Sequence, residues 1–205
     1  SMVAQQKGSR DEDGRWNNGD VLGDFSLNAK YAVSSDLTAE VTFNPDYSQV
    51  ESDAAQIDVN TPYALFYPER RPFFQEGADL FNTWFNAVYT RSIDKPTVAA
   101  KVAGRSGSSS FALLSAYDES TPIILPFEED SEVVENGESL TNILRYKREV
   151  ADQTHVGVIA TDRRYRDDGH GSLVGLDSRI RLHQNAHLEL QYLASFTEEP
   201  DDPEL

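Results

Sequence analysis

The chain has no cysteine. That excludes a disulfide framework, a thiolate metal site and a cysteine nucleophile, while leaving the compartment open. It also lacks long apolar runs. No stretch approaches the length of a membrane-spanning helix, which excludes that anchor but not a membrane β-barrel, whose strands alternate and carry only a weak hydropathy signal. No secretory signal, internal repeat or low-complexity tract is visible. There is no nucleotide-binding glycine loop, and the Ser108 to Ser110 region lacks the G-x-S-x-G turn of a nucleophile elbow. His155, His170, His183 and His187 have no metal-ligand spacing with carboxylates and read as surface or lumen residues.

What is present bounds the answer further. The 205 residues suffice for one large domain or two small ones, and 39% hydrophobic with 10% aromatic content is that of a folded chain. The net charge of -17 is unevenly spread. Asp118 to Ser139 holds eight acidic residues without a Lys or Arg, and the tail after Thr197 adds five, together 13 of the 17. The folded body is therefore nearly balanced and the acidity belongs to loops. Nucleic acid is excluded as a partner, because phosphate binding needs a net basic surface. The short basic cluster Arg163, Arg164 and Arg166 runs straight into Asp167 and Asp168, the pattern of a solvated turn. The opening Ser1-Met2 and the closing acidic run read as the ends of a piece cut from something longer.

Period-2 alternation predicts the fold class. Phe25, Leu27, Ala29, Tyr31 and Val33 alternate with polar or small neighbours, and after a turn at Ser34 to Asp36 the pattern resumes with Leu37, Ala39, Val41 and Phe43. Further strands are expected at 98–104, 109–117, 141–149, 154–162, 172–182 and 187–196. The reading is all-β: antiparallel up-and-down hairpins forming a barrel or part of one, with an irregular insertion carrying short helical turns. Residues 1–22 are expected to be a flexible lead-in, 23–197 a single β-rich domain with its insertion at 44–86, and 198–205 an acidic tail. Pro68 and Pro72 are expected to break any longer helix, leaving short turns at 53–57 and 77–85. In the C-terminal half, short and long connections alternate. This parity is expected to break around the insertion. Periodicity alone leaves two orientations open. Either the apolar face packs inward and Lys30, Glu40, Lys101, Arg145, Lys147, Arg179 and Arg181 meet water, or the apolar face meets lipid and those charges line a wet lumen.

The insertion is the most informative segment. Asn44-Pro45-Asp46 is a turn initiator. The aromatics Tyr63, Phe66, Tyr67, Phe73, Phe74 and Phe81 are spaced too irregularly for one helix or strand face, and they interleave with Glu69, Arg70, Arg71 and Glu76. Enclosed charges must be paired, so Glu69 and Glu76 are expected to meet Arg70, Arg71 or Arg91, whose guanidinium forks suit carboxylates. Gly77 permits a left-handed turn. Residues 44–53 fit N-P-D-[FY]-[SG]-Q-V-E-[AS]-D, and residues 66–81 fit F-[FY]-P-E-[KR]-R-P-F-F-x-E-G-A-x-x-F. In these positions the chain resembles an uncharacterised family of Gram-negative outer-membrane proteins. In that family a β-sandwich similar to family-9 carbohydrate-binding modules precedes a β-barrel domain of unknown function. The resemblance covers about residues 23–93. Ser92 departs from it, standing where the family carries a second Arg. The resemblance implies an outer-membrane, cell-envelope location, membrane lipid as a neighbour and a link to glycans through the absent module.

Chemical candidates are weighed against bland alternatives. Glu69 and Glu76 have the residue types of a glycosidase pair, but each has an Arg nearby in sequence and reads better as a structural charge network with Asp46, Glu51, Arg70, Arg71 and Arg91. Asp46, Glu51 and Asp53 offer oxygen ligands for calcium, with turn capping by Asp46 the simpler alternative. The acidic stretch Asp11 to Asp20 lacks the full calcium-loop pattern. No cofactor, metal or catalytic set is expected. The leading expectation is a non-catalytic fragment of an outer-membrane barrel, serving surface glycan handling or transport in the intact protein. The alternative is a soluble acidic module that binds carbohydrate or protein on Tyr63, Phe66, Tyr67 and Phe73. A glycoside hydrolase-associated domain comes third.

Overall fold

The protein was analysed as a computed structural model. It describes residues 2–10, 16–45, 68–119, 121–126, 131–166 and 169–198, with the backbone alone at 2–10, 16–24, 121–126 and 131–136. The described chain is all-β. Two strands, β1 (Met2–Arg10) and β2 (Trp16–Phe25), form an antiparallel hairpin. Then β3 (Leu27–Ser34), β4 (Leu37–Phe43), β5 (Pro96–Ser106), β6 (Ser109–Asp118), β9 (Ser139–Ala151), β10 (Thr154–Tyr165), β11 (His170–His183) and β12 (Ala186–Glu198) build one sheet. Its order is β12-β11-β10-β9-β6-β5-β4-β3, antiparallel throughout, and it is open rather than closed among the described residues. A second hairpin, β7 (Thr121–Pro126) with β8 (Ser131–Asn136), lies between β6 and β9 in sequence and outside the sheet.

Two sequence expectations need correction here. The lead-in expected to be flexible contains the β1–β2 hairpin. Its Asn, Asp and Gly content hides the strands from propensity, and β2 runs into β3 with only Ser26 between them. The acidic loop likewise contains β7 and β8, whose Ile123, Ile124, Val133 and Val134 are good strand formers.

The connections obey a parity that the insertion does not break. The two-residue turns at 35–36, 107–108, 152–153 and 184–185 all lie at one edge. The strand ends joined by the insertion, by the stretch between β6 and β9, and by the β10–β11 connection all lie at the other. Gly104 of β5 shows why the first turn is tight. A Cβ there would stand 2.2 Å from the Asp36 carbonyl oxygen, which accepts a 2.9 Å hydrogen bond from Arg105 N.

The two faces of the sheet are the reverse of a water-soluble sandwich. One face carries Phe111, Leu113, Leu144, Tyr146, Val158, Val174, Leu176 and Tyr192 in cross-strand rows, and its large side chains are open: Leu144 is 45% and Tyr192 67% exposed. The opposite face is mixed: Thr42, Ala99, Ala112, Ala116, Thr141 and Gly157 sit among the charged Glu40, Lys101, Arg145 and Asp177 and the apolar Leu114, Ile143 and Ile159. That face is the buried one. Arg145, at 2% exposure, is the largest fully buried side chain among the described residues. It grips Asp177 across β10, with Nη2 at 2.9 Å from Oδ2. Gly157, between them, leaves the space, since a Cβ there would stand 2.6 Å from both partners. His155 adds its Nε2 at 3.7 Å from Asp177.

Candidate functional site

The polar face is buried because residues 68–95 lie on it. The segment is irregular for local reasons. As expected, no longer helix forms here; Pro72 opens the single turn Pro72–Gln75 at the first position, where its missing N–H costs nothing. Gly77 follows with φ 71°, the left-handed geometry that glycine tolerates, and leads into the 3-10 turn Ala78–Phe81. A second 3-10 turn, Thr90–Ser92, closes the segment. The result throws Phe73, Phe74, Phe81 and Ile93 to one side, where they bury against Ala99, Ala112, Leu114, Ala116 and Ile143. The small residues on the strands make room for large ones on the segment. Phe73 and Phe74 meet edge to face with centroids 5.0 Å apart.

Arg71 clasps the segment's start to its end. Its Nε and backbone N donate to Glu69 Oε1 at 2.8 and 3.0 Å, and its Nη2 donates to Glu69 Oε2 at 2.8 Å and to the Thr90 carbonyl at 2.9 Å. Its guanidinium also lies 4.2 Å from the Phe74 ring centroid. Thr90 Oγ1 donates to Glu69 Oε2 at 2.7 Å. Burial pushes the Glu69 carboxyl up, but the Arg71 and Thr90 hydrogen bonds and the Arg71 charge outweigh it and hold the group below its ordinary value. At the exit, fully buried Asp118 accepts from the backbone N–H groups of Asp94 and Lys95, each at 2.7 Å.

The sheet holds the segment from below and from both edges. Lys101, 4% exposed, donates to the Phe73 carbonyl and to the Glu76 carbonyl at 2.8 Å, and pairs with Glu40 Oε2 at 3.3 Å. It satisfies carbonyls that the short helix leaves open. Glu76 lies against Lys30 of edge strand β3. Its pKa is lowered, first by the hydrogen bond from Lys30. Arg105 meets Asp79 at 3.0 Å. From β10, Arg163 Nη2 donates to Ser92 Oγ at 2.7 Å, so a cation reaches Ser92 from the sheet. At the far edge, Gln191 of β12 accepts from Phe85 N at 2.7 Å and donates to Phe85 O at 3.1 Å. Seven inter-strand steps would put β3 and β12 roughly 34 Å apart in a flat sheet. Glu76 and Phe85 are only nine residues apart, four of them in a 3-10 turn, and span less than that. One short segment is thus held at both edges of the sheet.

Of the residues singled out in the sequence, Glu69 and Arg71 come together. Glu76 meets Lys30 rather than any of the arginines expected for it. Arg70 is exposed and Arg91 lies by the segment's outer hollow, close to Glu69, Tyr89 and Thr90. Phe73 and Phe74 are core residues, so Phe73 offers no face to a ligand. Asp46, Glu51, Asp53, Tyr63, Phe66 and Tyr67 lie outside the described residues, as does the short helical turn expected at 53–57. The residues that the sequence reading did not single out as anchors are Lys30, Lys101, Asp118, Arg163 and Gln191. Their only signal was a place on the polar face of a strand, or at its end. The charges expected to meet water or line a wet lumen are in part covered: Glu40, Lys101 and Arg145 are buried. Glu69 is held as a carboxylate by Arg71 and Thr90, and Glu76 by Lys30. No group of three or more potential metal ligands occurs among the described residues.

Residues 8–108 match the family model described as a domain of unknown function, DUF5916. The matched stretch includes β3, β4, the whole insertion and β5. That description assigns neither a membrane location nor a carbohydrate module. No curated protein and no solved structure matches the chain.

Proposed function

We propose that this chain is a plugged wall of an outer-membrane β-barrel, non-catalytic in itself, whose intact protein serves surface glycan handling or transport. The apolar face borders lipid, and residues 68–95 are a structural plug on the lumen side. The observation that carries this reading is the reversal of the faces. Leu113, Leu144, Val158, Leu176 and Tyr192 stand open while Glu40, Lys101, Asp118 and Arg145 are buried. In water such an apolar surface invites aggregation; against hydrocarbon it is the required one. Strand lengths support the same reading, because β9 to β12 have 12 to 14 residues and a tilted membrane strand needs about 9–11. So does the connection parity, since outer-membrane barrels place short turns on the periplasmic side and longer loops outside. By that rule the plug enters from the outer mouth. No helix among the described residues is long and apolar enough to cross a membrane, which leaves a strand-built wall untouched.

The test is to refold the chain with and without detergent micelles, following strand content by circular dichroism and dispersion by light scattering. The expected outcome is a folded, dispersed chain only with detergent. A monodisperse chain of equal strand content in plain buffer would overturn the reading.

A further inference from the structure

A hollow of about 420 Å³ opens at the long-connection edge of the sheet, where β6, β9 and β10 end. It is lined by Tyr117, Glu138, Leu140, Arg164, Tyr165 and Arg166, and its volume falls within the range of small-molecule sites, about 300–1,000 Å³. The hollow beside Glu69, at about 110 Å³, falls short of that range. The charges in the larger hollow cancel in pairs. Glu138 accepts from Arg166 Nη1 and from the Tyr117 hydroxyl. Arg164 Nε donates to Asp162 at 3.1 Å. A phosphate would find its arginines already neutralised and Glu138 repelling it, and a cation would face the two guanidinium groups. An ion is therefore not what this surface selects.

What remains is a dense set of donors and acceptors beside apolar ring surface. The guanidinium edges donate, the carboxylate oxygens accept, the Tyr165 phenol does either, the Tyr117 phenol can still accept, and the Tyr117 and Tyr165 rings with Leu140 supply apolar faces. A neutral ligand with many hydroxyls and one apolar ring face satisfies all of these together. We propose that this hollow binds a saccharide residue. The site goes beyond the barrel-wall reading and stands on its own lining. Only the source of the sugar rests on that reading, since a hollow at a membrane rim meets a glycolipid headgroup as readily as a free glycan.

The experiment titrates the refolded chain with free lactose, read by saturation-transfer NMR, and with lipid nanodiscs containing or lacking a digalactosyl glycolipid. Saturable binding is expected in at least one arm. Glu138→Gln and Arg166→Ala should each weaken it about tenfold, the loss of one charge-assisted hydrogen bond. Lys147→Ala, at the opposite edge, should leave it unchanged. Lactose binding identifies a free-glycan site, and binding only in glycolipid nanodiscs identifies a headgroup site. No saturable binding in either arm, or binding indifferent to both hollow variants, overturns the proposal. Failure of the barrel-wall reading would show separately, as folding without detergent, and the lactose arm would still test the site.

Discussion

Lys101 ties the buried face of the sheet to the segment that lies on it. A buried ammonium is tolerated only when it is paired and hydrogen-bonded, and here two carbonyls of the segment accept from it while Glu40 Oε2 stands as its counter-charge at 3.3 Å. Removing the cation leaves buried Glu40 without its counter-charge and with only the 3.1 Å hydrogen bond from Asn28, so Lys101→Met should cost about 3–5 kcal/mol of stability. Removing both charges, as Lys101→Met with Glu40→Met, should recover most of this and leave only the open carbonyls, about 1–3 kcal/mol. Urea unfolding in micelles gives both values. Additive losses in the double variant would show that the two groups do not act as a pair. Lys101 was legible as a polar-face residue from its alternation with Ala100 and Val102. That it reaches two carbonyls more than twenty residues upstream was not, because nothing local encodes that contact.

At the scale of elements, the segment from Pro68 to Lys95 behaves as a clasped unit. Arg71, Glu69 and Thr90 close its two ends on each other. The Glu69 pKa is lowered in the folded state, so its contribution is fully present above the ordinary carboxylate value, near 4.5, and is lost as pH falls through the folded value. The unfolding midpoint of the native chain, measured from pH 7 down to pH 3, should drop more steeply below about pH 4.5 than that of Glu69→Gln. Parallel curves would mean that the clasp is not coupled to stability. The strands themselves were readable from period-2 alternation, and the β3–β4 and β5–β6 turns fell where Ser, Asp and Gly put them. The hairpins β1–β2 and β7–β8 were missed because acidic and polar residues mask strand propensity. Glu76 was misassigned because sequence proximity favoured an arginine, while β3 delivers Lys30 from 46 residues away.

For the whole molecule the question is which solvent meets the exposed apolar face. Leu144 stands near the middle of its apolar rows, between Leu113 and Ala160. If lipid covers it, Leu144→Arg should cost about 2–4 kcal/mol of folding stability in bilayers and reduce insertion into vesicles, scored by protease protection. If water covers it, the same change should leave stability within about 0.5 kcal/mol and improve dispersion. Unchanged insertion of Leu144→Arg would therefore count against the barrel wall.

The alternation of residues by itself determined that this chain makes antiparallel strands with one apolar and one polar face, because side chains on an extended backbone point alternately to either side whatever surrounds them. It also marked the Pro68 to Phe81 region as a packed, charge-bearing insertion, because buried aromatics and paired charges must travel together. Which face is covered was decided only in three dimensions. Period 2 is symmetric between inside and outside, and the symmetry is broken by Phe73, Phe74, Phe81 and Ile93 seating on small strand residues. Lys30 and Gln191 hold the same segment at both edges of the sheet. Those contacts join residues far apart in the chain, and only the folded sheet brings them together.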